Sequence, residues 1–147
     1  MNMTHRFGSE VLKTPLDAAE LEQFNSLNTG LSRTLGIAVT HVSGDKVEGY
    51  LDVQPSHHQF TGIVNGGVYC SIGETLGSIA AVAAAGVPAV GMNNNTDLLS
   101  SVSEGRIDAV AVPVHVGRTT HLWRVEMRAG DKLLATTNLK LMILRPR

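Results

Sequence analysis

The sequence predicts an α+β protein in which one curved antiparallel sheet wraps around one long central helix. Three observations carry that prediction. A proline-free run from Val68 to Ala85 is small or apolar almost all the way round, as a helix enclosed by other structure must be. Six strand-like stretches flank it, two before and four after, and the late ones are joined by short turns. No internal repeat, linker or low-complexity segment divides the 147 residues, which fit one domain with an adequate core. One sheet curling around one buried helix satisfies that order of elements.

Residues 1–13 read as a loose lead-in. Thr14-Pro15-Leu16-Asp17 predicts a helix start, with Thr14 as N-cap, Pro15 at the first position and Asp17 in the first turn. Leu16, Leu21, Phe24 and Leu27 give this short helix a partly apolar face, and Gly30 ends it. Residues 1–30 are thus an N-terminal segment ahead of a main domain at 31–147. From Leu31 the pattern changes to strands, around 33–43 and 46–54, flanking the hairpin turn Ser43-Gly44-Asp45. Val47, Gly49, Leu51 and Val53 alternate with Lys46, Glu48, Tyr50 and Asp52, which leaves one face wet. Pro55-Ser56-His57-His58 follows as a loop with both histidines expected in solvent.

Ala-rich sequence from Ile79 to Ala85 favours helix, and Gly86 with Pro88 stops it. The later strands are predicted near 89–100, 106–117, 120–129 and 132–144. Pro113 interrupts the alternating Val110, Val112, Val114 and Val116, which predicts an edge or a bulge. Trp123, Val125 and Met127 alternate with Arg124, Glu126 and Arg128, and Ala129-Gly130-Asp131-Lys132 turns the chain into the last strand. His115 and His121 are expected to be structural residues on exposed strand positions.

Charge and cysteine content narrow the function. A net charge of −1 gives no electrostatic footprint for nucleic acid or an anionic membrane. The single cysteine, Cys70, excludes a disulfide framework and reads as a space-filling thiol, and no Cys/His spacing suits a metal. The central apolar run approaches the length of a membrane span, but Glu74 sits in its middle and Gly, Ser and Thr dilute it, so a buried core helix is expected. Met1 to Phe7 contain no apolar signal core, and a cytoplasmic protein is expected.

Glu74 is the only formally charged side chain between Asp52 and Asp97. Burying a carboxylate without a partner is costly. Either folding brings a basic residue to it, or it is a working carboxylate in a cleft. Upstream, Asn65 is a good N-cap, and Gly66 and Gly67 leave the first helix amides uncovered by side chains. Such amides, at the positive end of a helix dipole, suit a carbonyl oxygen or an oxyanion. Three amides in a row, Asn93-Asn94-Asn95, are unusual for a strand, and at least one is expected to have a specific partner.

Over roughly residues 30–145 the chain resembles the PaaI-like acyl-CoA thioesterases of the hotdog fold. The resemblance rests on Gln59-Phe60-x-Gly62, Gly66-Gly67, Glu74-x-x-Gly77-Ser78, Val90-Gly91 with Asn95, Glu104-Gly105 and His115-x-Gly117-Arg118. It implies that Glu74 attacks the thioester carbonyl or activates a water, while the Gly67 N–H stabilises the oxyanion. Gln59 would orient the nucleophile or the carbonyl, or else satisfy its own loop. Ser78 would bond substrate or water, or bond back to its helix. Arg118, Thr119 and Thr120 would suit the phosphates of CoA, with a plain turn as the alternative. Gly66 and Asn95 fall at substrate-binding positions.

The resemblance also implies homodimers or homotetramers, with Glu74 of one subunit meeting Gly67 of the other. No cofactor or metal is called for, because a carboxylate and helix amides suffice for hydrolysis. Two departures stand out: many relatives have His where this chain has Asn65, and some have His where it has Leu98. The function implied is hydrolysis of a small acyl-CoA, with aromatic acyl groups among the candidates. The alternatives are a non-catalytic acyl-CoA-binding protein and, last, a hydratase or dehydratase, which usually needs a His-Asp pair.

Overall fold

In the computed structural model, which describes residues 6–147, the order is α1 (Ala18–Ser26), α2 (Leu31–Leu35), β1 (Ile37–Val42), β2 (Val47–Asp52), α3 (Gly66–Ala85), β3 (Ala89–Leu98), β4 (Arg106–Val116), β5 (Thr120–Ala129) and β6 (Lys132–Ile143). The six strands form one antiparallel sheet in the order β1-β2-β4-β5-β6-β3. β3 follows α3 in the chain yet pairs only with the last strand, so it forms one edge of the sheet.

The alternation read in the sequence builds the core directly. Trp123, Val125 and Met127 of β5 and Leu139 and Leu141 of β6 are fully buried, and they meet Ile72, Leu76 and Ala80 of α3. Two glycines set how closely helix and sheet approach: a Cβ on Gly77 would lie 2.6 Å from Leu139 Cδ2, and one on Gly73 would run into the Thr137 side chain. The side of α3 that carries Cys70, Ser71, Glu74, Thr75 and Ser78 is only half-buried. Full enclosure of the helix is therefore corrected: the sheet covers one side, and the N-terminal segment covers only part of the other.

Several boundaries differ from the sequence reading. The N-cap of α1 is Asp17, not Thr14; the Asp17 carboxylate accepts from Glu20 N while Glu20 reaches back to the Asp17 amide. That reciprocal cap outcompetes the Thr-Pro start, and α1 ends at Ser26, ahead of Gly30. Residues 31–35 form α2 where strand was expected, closed by Gly36 at a left-handed φ of 83°. Residues 1–5 of the lead-in lie outside the described residues. Residues 6–13 are packed: Leu12 is buried, and its amide donates to the Ala83 carbonyl at 2.9 Å. Arg6 meets Glu20 at 2.6 Å and Phe7 packs edge-on to Phe24, so this segment is pinned across α1.

The strand breaks fall where proline predicted. The β4–β5 register shifts between Pro113 and His115, beyond the last residue that β2 covers. Two histidines are corrected. His57 is buried, its Nδ1 accepting from Gln54 N and its Nε2 bonded to the Leu35 carbonyl. His121 is buried as well, facing the core rather than solvent, where Trp123 Nε1 donates to its Nδ1 at 3.1 Å.

Candidate active site

Glu74 projects from the half-buried side of α3 toward the edge strand. Among the described residues it makes no ion pair, so folding brings no basic partner to it. What meets it is β3. A bulge at Met92, where the β3–β6 register shifts between Gly91 and Asn93, brings Gly91 and Asn94 onto the same helix-facing side although they are three residues apart. A Cβ on Gly91 would lie 2.6 Å from Glu74 Oε1, so any larger residue there would push the carboxylate out of this position. Asn94 Nδ2 donates to Glu74 Oε2 at 3.3 Å and to the Cys70 carbonyl at 3.0 Å.

Two hollows meet at this carboxylate. One is open and lined by Leu31, Cys70, Ser71, Glu74 and Asn94. The other, of about 450 Å³, runs from Glu74 and Ser78 between α1 and α3 and is walled by Phe7, Phe24, Leu27 and Ile79. Ser78 is placed where the sequence put it, one turn beyond Glu74, and it does not bond back to the helix; Ser71 does so instead, to the Gly67 carbonyl.

The N-terminus of α3 lies at a third hollow, of about 350 Å³, lined by Gln59, Gly66, Tyr69, Leu98 and Ser100. Asn65 caps the helix as expected, but its Oδ1 accepts from Gly67 N at 2.8 Å. The expectation of an uncovered Gly67 amide is thereby corrected: the Asn65 side chain already occupies it. The same bond turns the Asn65 amide so that Nδ2 is left over as a donor. Leu98, where some relatives carry His, packs on Gly66, with its Cδ1 2.5 Å from where a Cβ would be. The Gln59 carboxamide oxygen accepts from the Thr61 amide and hydroxyl, which leaves its Nε2 free to face the hollow.

This hollow and the two at Glu74 share no lining residue. Seven residues of helix separate Gly67 from Glu74, about 10 Å along the axis, too far for both to touch one carbonyl. Within a single chain the candidate residues therefore fall into two separate groups.

The comparisons with known proteins bear on the fold and the family. The family model described as the thioesterase superfamily matches residues 61–136, which include α3, β3, β4 and β5. A Mycobacterium tuberculosis protein provisionally named as an esterase is 39% identical over 119 residues, 77% of this chain and 85% of that one. Its solved structure superimposes with a TM-score of 0.77 over 79% of this chain and 97% of that one, at 38% identity.

This chain belongs to the thioesterase superfamily.

A proofreading thioesterase of Cronobacter turicensis is 32% identical over 108 residues, covering 71% of this chain and 79% of the other. A Haemophilus influenzae thioesterase structure gives a TM-score of 0.81 at 26% identity, with 92% of this chain and 96% of that one covered. The architecture is the hotdog fold of these thioesterases, an antiparallel six-stranded sheet packed on one long helix. Membership brings the coarse chemistry, hydrolysis of a thioester.

Placed on this thioesterase fold, the remaining sequence candidates lie apart. Arg118 and Thr119 are at the β4–β5 turn with Thr120 beside them, and line none of the three hollows. Asn95 pairs with Asn138 on the sheet face turned away from α3 and does not reach Glu74. Its neighbour Asn94 is the amide that does. The triple-Asn run signalled that one amide would be used, but only the Met92 bulge decides which. Thr96 and Thr137 were also missed, because nothing in sequence marks a strand threonine as a hydrogen-bond partner of a distant amide.

Proposed function

We propose that this thioesterase-superfamily protein hydrolyses a small acyl-CoA to the free acid and CoA, working as a homodimer or homotetramer whose sites are shared between subunits. The observation that carries the reading is Glu74: a carboxylate without an ion pair, at the junction of an open trough and a largely apolar hollow. The trough admits the thioester, and the hollow walled by Phe7, Phe24, Leu27 and Ile79 suits an apolar acyl group of aryl or medium-alkyl size. Either Glu74 attacks the carbonyl carbon, the C–S bond breaks to release CoA thiolate, and water then hydrolyses the mixed anhydride left on Glu74, or Glu74 takes the proton of a water that attacks the carbonyl directly. By either route one water is consumed, its oxygen ends in the acid, and a proton from it converts the CoA thiolate to the thiol.

The partner subunit's half supplies the electrophilic side. Its α3 N-terminus presents the Asn65 Nδ2 and the Gly66 N–H, with Gly67 N–H available once Asn65 shares or releases it, and Gln59 Nε2 stands beside them. β3 makes that sharing geometrically natural: its ten residues are an open sheet edge with no proline and no lysine, the kind of edge that pairs with another strand. Arg118, Thr119 and Thr120 at the β4–β5 turn would then serve the CoA phosphates from the sheet end.

Substituting Glu74→Gln tests this. The amide is nearly isosteric but accepts no proton and attacks no carbonyl, so kcat for the best acyl-CoA should fall by about two to four orders of magnitude with KM little changed. The melting temperature should hold. A stable, fully active variant would leave the reading without its catalyst. One observation favours a second reading, a non-catalytic acyl-CoA-binding protein: the Gly67 N–H is occupied by Asn65. Release of free thiol from a panel of acyl-CoAs by the unmodified protein separates the two. Among the described residues no histidine lines the hollows at Glu74, so a hydratase with a His-acid pair has no support here.

A further inference from the structure

The Asn94 amide that touches Glu74 is itself held from behind. Glu74 Oε2 and the Cys70 carbonyl are both acceptors, which assigns the orientation of the carboxamide: nitrogen toward them, oxygen toward Thr96, whose Oγ1 donates to it at 2.7 Å. With its only hydrogen given to Asn94, Thr96 Oγ1 accepts from Thr137 Oγ1, also at 2.7 Å. Thr137 is fully buried in β6, against the bare backbone of Gly73 on α3, where a Cβ would collide with it. A relay thus runs from the core outward: Gly73 makes room for Thr137, Thr137 fixes Thr96, Thr96 fixes Asn94, and Asn94 holds Glu74. On the other side of the carboxylate, Gly91 brings no side chain of its own against Oε1.

We propose that Asn94 is a positioning residue for Glu74, its amide braced from behind by the Thr96–Thr137 relay so that one carboxylate oxygen is held and the other stays free to act. The proposal rests on the reading of Glu74 as the working carboxylate. A glutamate on a half-exposed helix face samples several rotamers, and only those aimed into the trough are productive. A fixed amide donor on Oε2 removes most of the others, and it does so without a cation, which would neutralise the charge that the reaction needs. The order of donors matters. Reversing the Asn94 carboxamide would set its oxygen against two acceptors, Glu74 Oε2 and the Cys70 carbonyl, which excludes that order, and the Thr96 hydroxyl holds the oxygen at the other end.

The test uses the full-length protein with benzoyl-CoA and hexanoyl-CoA as probes, and thiol release as the readout. Asn94→Leu keeps the shape and removes the donor; kcat should fall about tenfold, with KM held within about twofold. Asn94→Asp keeps the acceptor for Thr96 but sets a second charge beside Glu74, and should fall at least as far. Thr96→Val frees the amide to turn and should cost less than Asn94→Leu, while the double variant should be no worse than Asn94→Leu alone. A purely structural Asn94 would give the opposite pattern, a lowered melting temperature with kcat per folded molecule unchanged. If Asn94→Leu does not fold, Asn94→Asp and Thr96→Val carry the same comparison. Wild-type kcat in all three, alongside a crippled Glu74→Gln, overturns the role of Asn94 and leaves that of Glu74 standing. A fully active Glu74→Gln, or a wild-type protein inert to both probes, overturns both.

Discussion

In the proposed reaction, single residues matter as much for what is kept away from them as for what they touch. Among the described residues Glu74 pairs with no cation, and Gly91 sets no Cβ against its Oε1. Leu98 occupies Gly66 with a methyl group where some relatives bring an imidazole, which makes the helix entrance drier and untitratable. The one deeply buried imidazole in the sheet lies elsewhere. His121 faces the core, Trp123 fixes its neutral tautomer, and burial holds its pKa below the ordinary value near 6.5, with Arg145 and His115 adding to the effect. The sign follows: below about pH 6.5 the unfolded chain takes up a proton that the folded one refuses, so stability is full above that pH and falls as the pH drops. Urea unfolding between pH 7 and pH 5 should show this loss, and His121→Gln, which can still accept from Trp123, should flatten it. Equal slopes in the two proteins would remove His121 from the account.

At the scale of elements, α3 is shaped by two opposed demands on glycine. Gly73 and Gly77 weaken an isolated helix by about 1 kcal/mol each relative to alanine. They also let the helix backbone settle on Thr137 and Leu139 of β6. The packing side should win at Gly73, because Thr137 is buried and tied to Thr96 at 2.7 Å and cannot step aside. Gly73→Ala should therefore destabilise by about 1–3 kcal/mol, the usual cost of overpacking, despite the better helix former. Thermal unfolding reads this directly, and a higher melting temperature for Gly73→Ala would mean that helix and sheet are not in contact there. The same contact anchors the relay to Asn94, so activity should suffer with stability. The bulge at Met92 is the complementary device on β3, since without it Gly91 and Asn94 would face opposite sides of the sheet.

At the scale of the whole molecule, the proposed function makes assembly part of the work, because its two half-sites are apart within one chain. The Gly66 hollow and the Glu74 hollows lie on one chain but share no lining residue, and a two-fold axis at the β3 edge would bring each to the other's complement. Light scattering should find at least a dimer, and a fully active monomer would refute a shared site. A sharper check mixes Glu74→Gln with Asn65→Leu subunits. Each homo-oligomer should be impaired, whereas random mixing should leave about a quarter of the sites with neither lesion, because a two-fold interface pairs one intact half from each subunit. No recovery on mixing would place both halves' work within one chain.

By itself the sequence determined the layered architecture, the six strands and the central helix with its Asn65 cap and Gly86 stop, because period-two and all-apolar patterns are local properties of the chain. It also singled out Glu74, since a lone carboxylate in an apolar run is visible without coordinates. Tertiary structure alone decided the rest. Asn94 rather than Asn95 meets Glu74, because a one-residue bulge reverses which side chains face the helix. Leu31 to Leu35 wind into a helix where strand was read, and Asp17 outcompetes Thr14 as a cap, because a reciprocal Asp17–Glu20 bond satisfies two orphan amides at once. The Gly67 amide, legible as an oxyanion donor, proved to be taken by Asn65. Each of these turns on where a hydrogen bond finds its partner. At the site that partner lies on β3, an edge strand paired with the last strand of the chain, so it is set by register and not by neighbourhood in sequence.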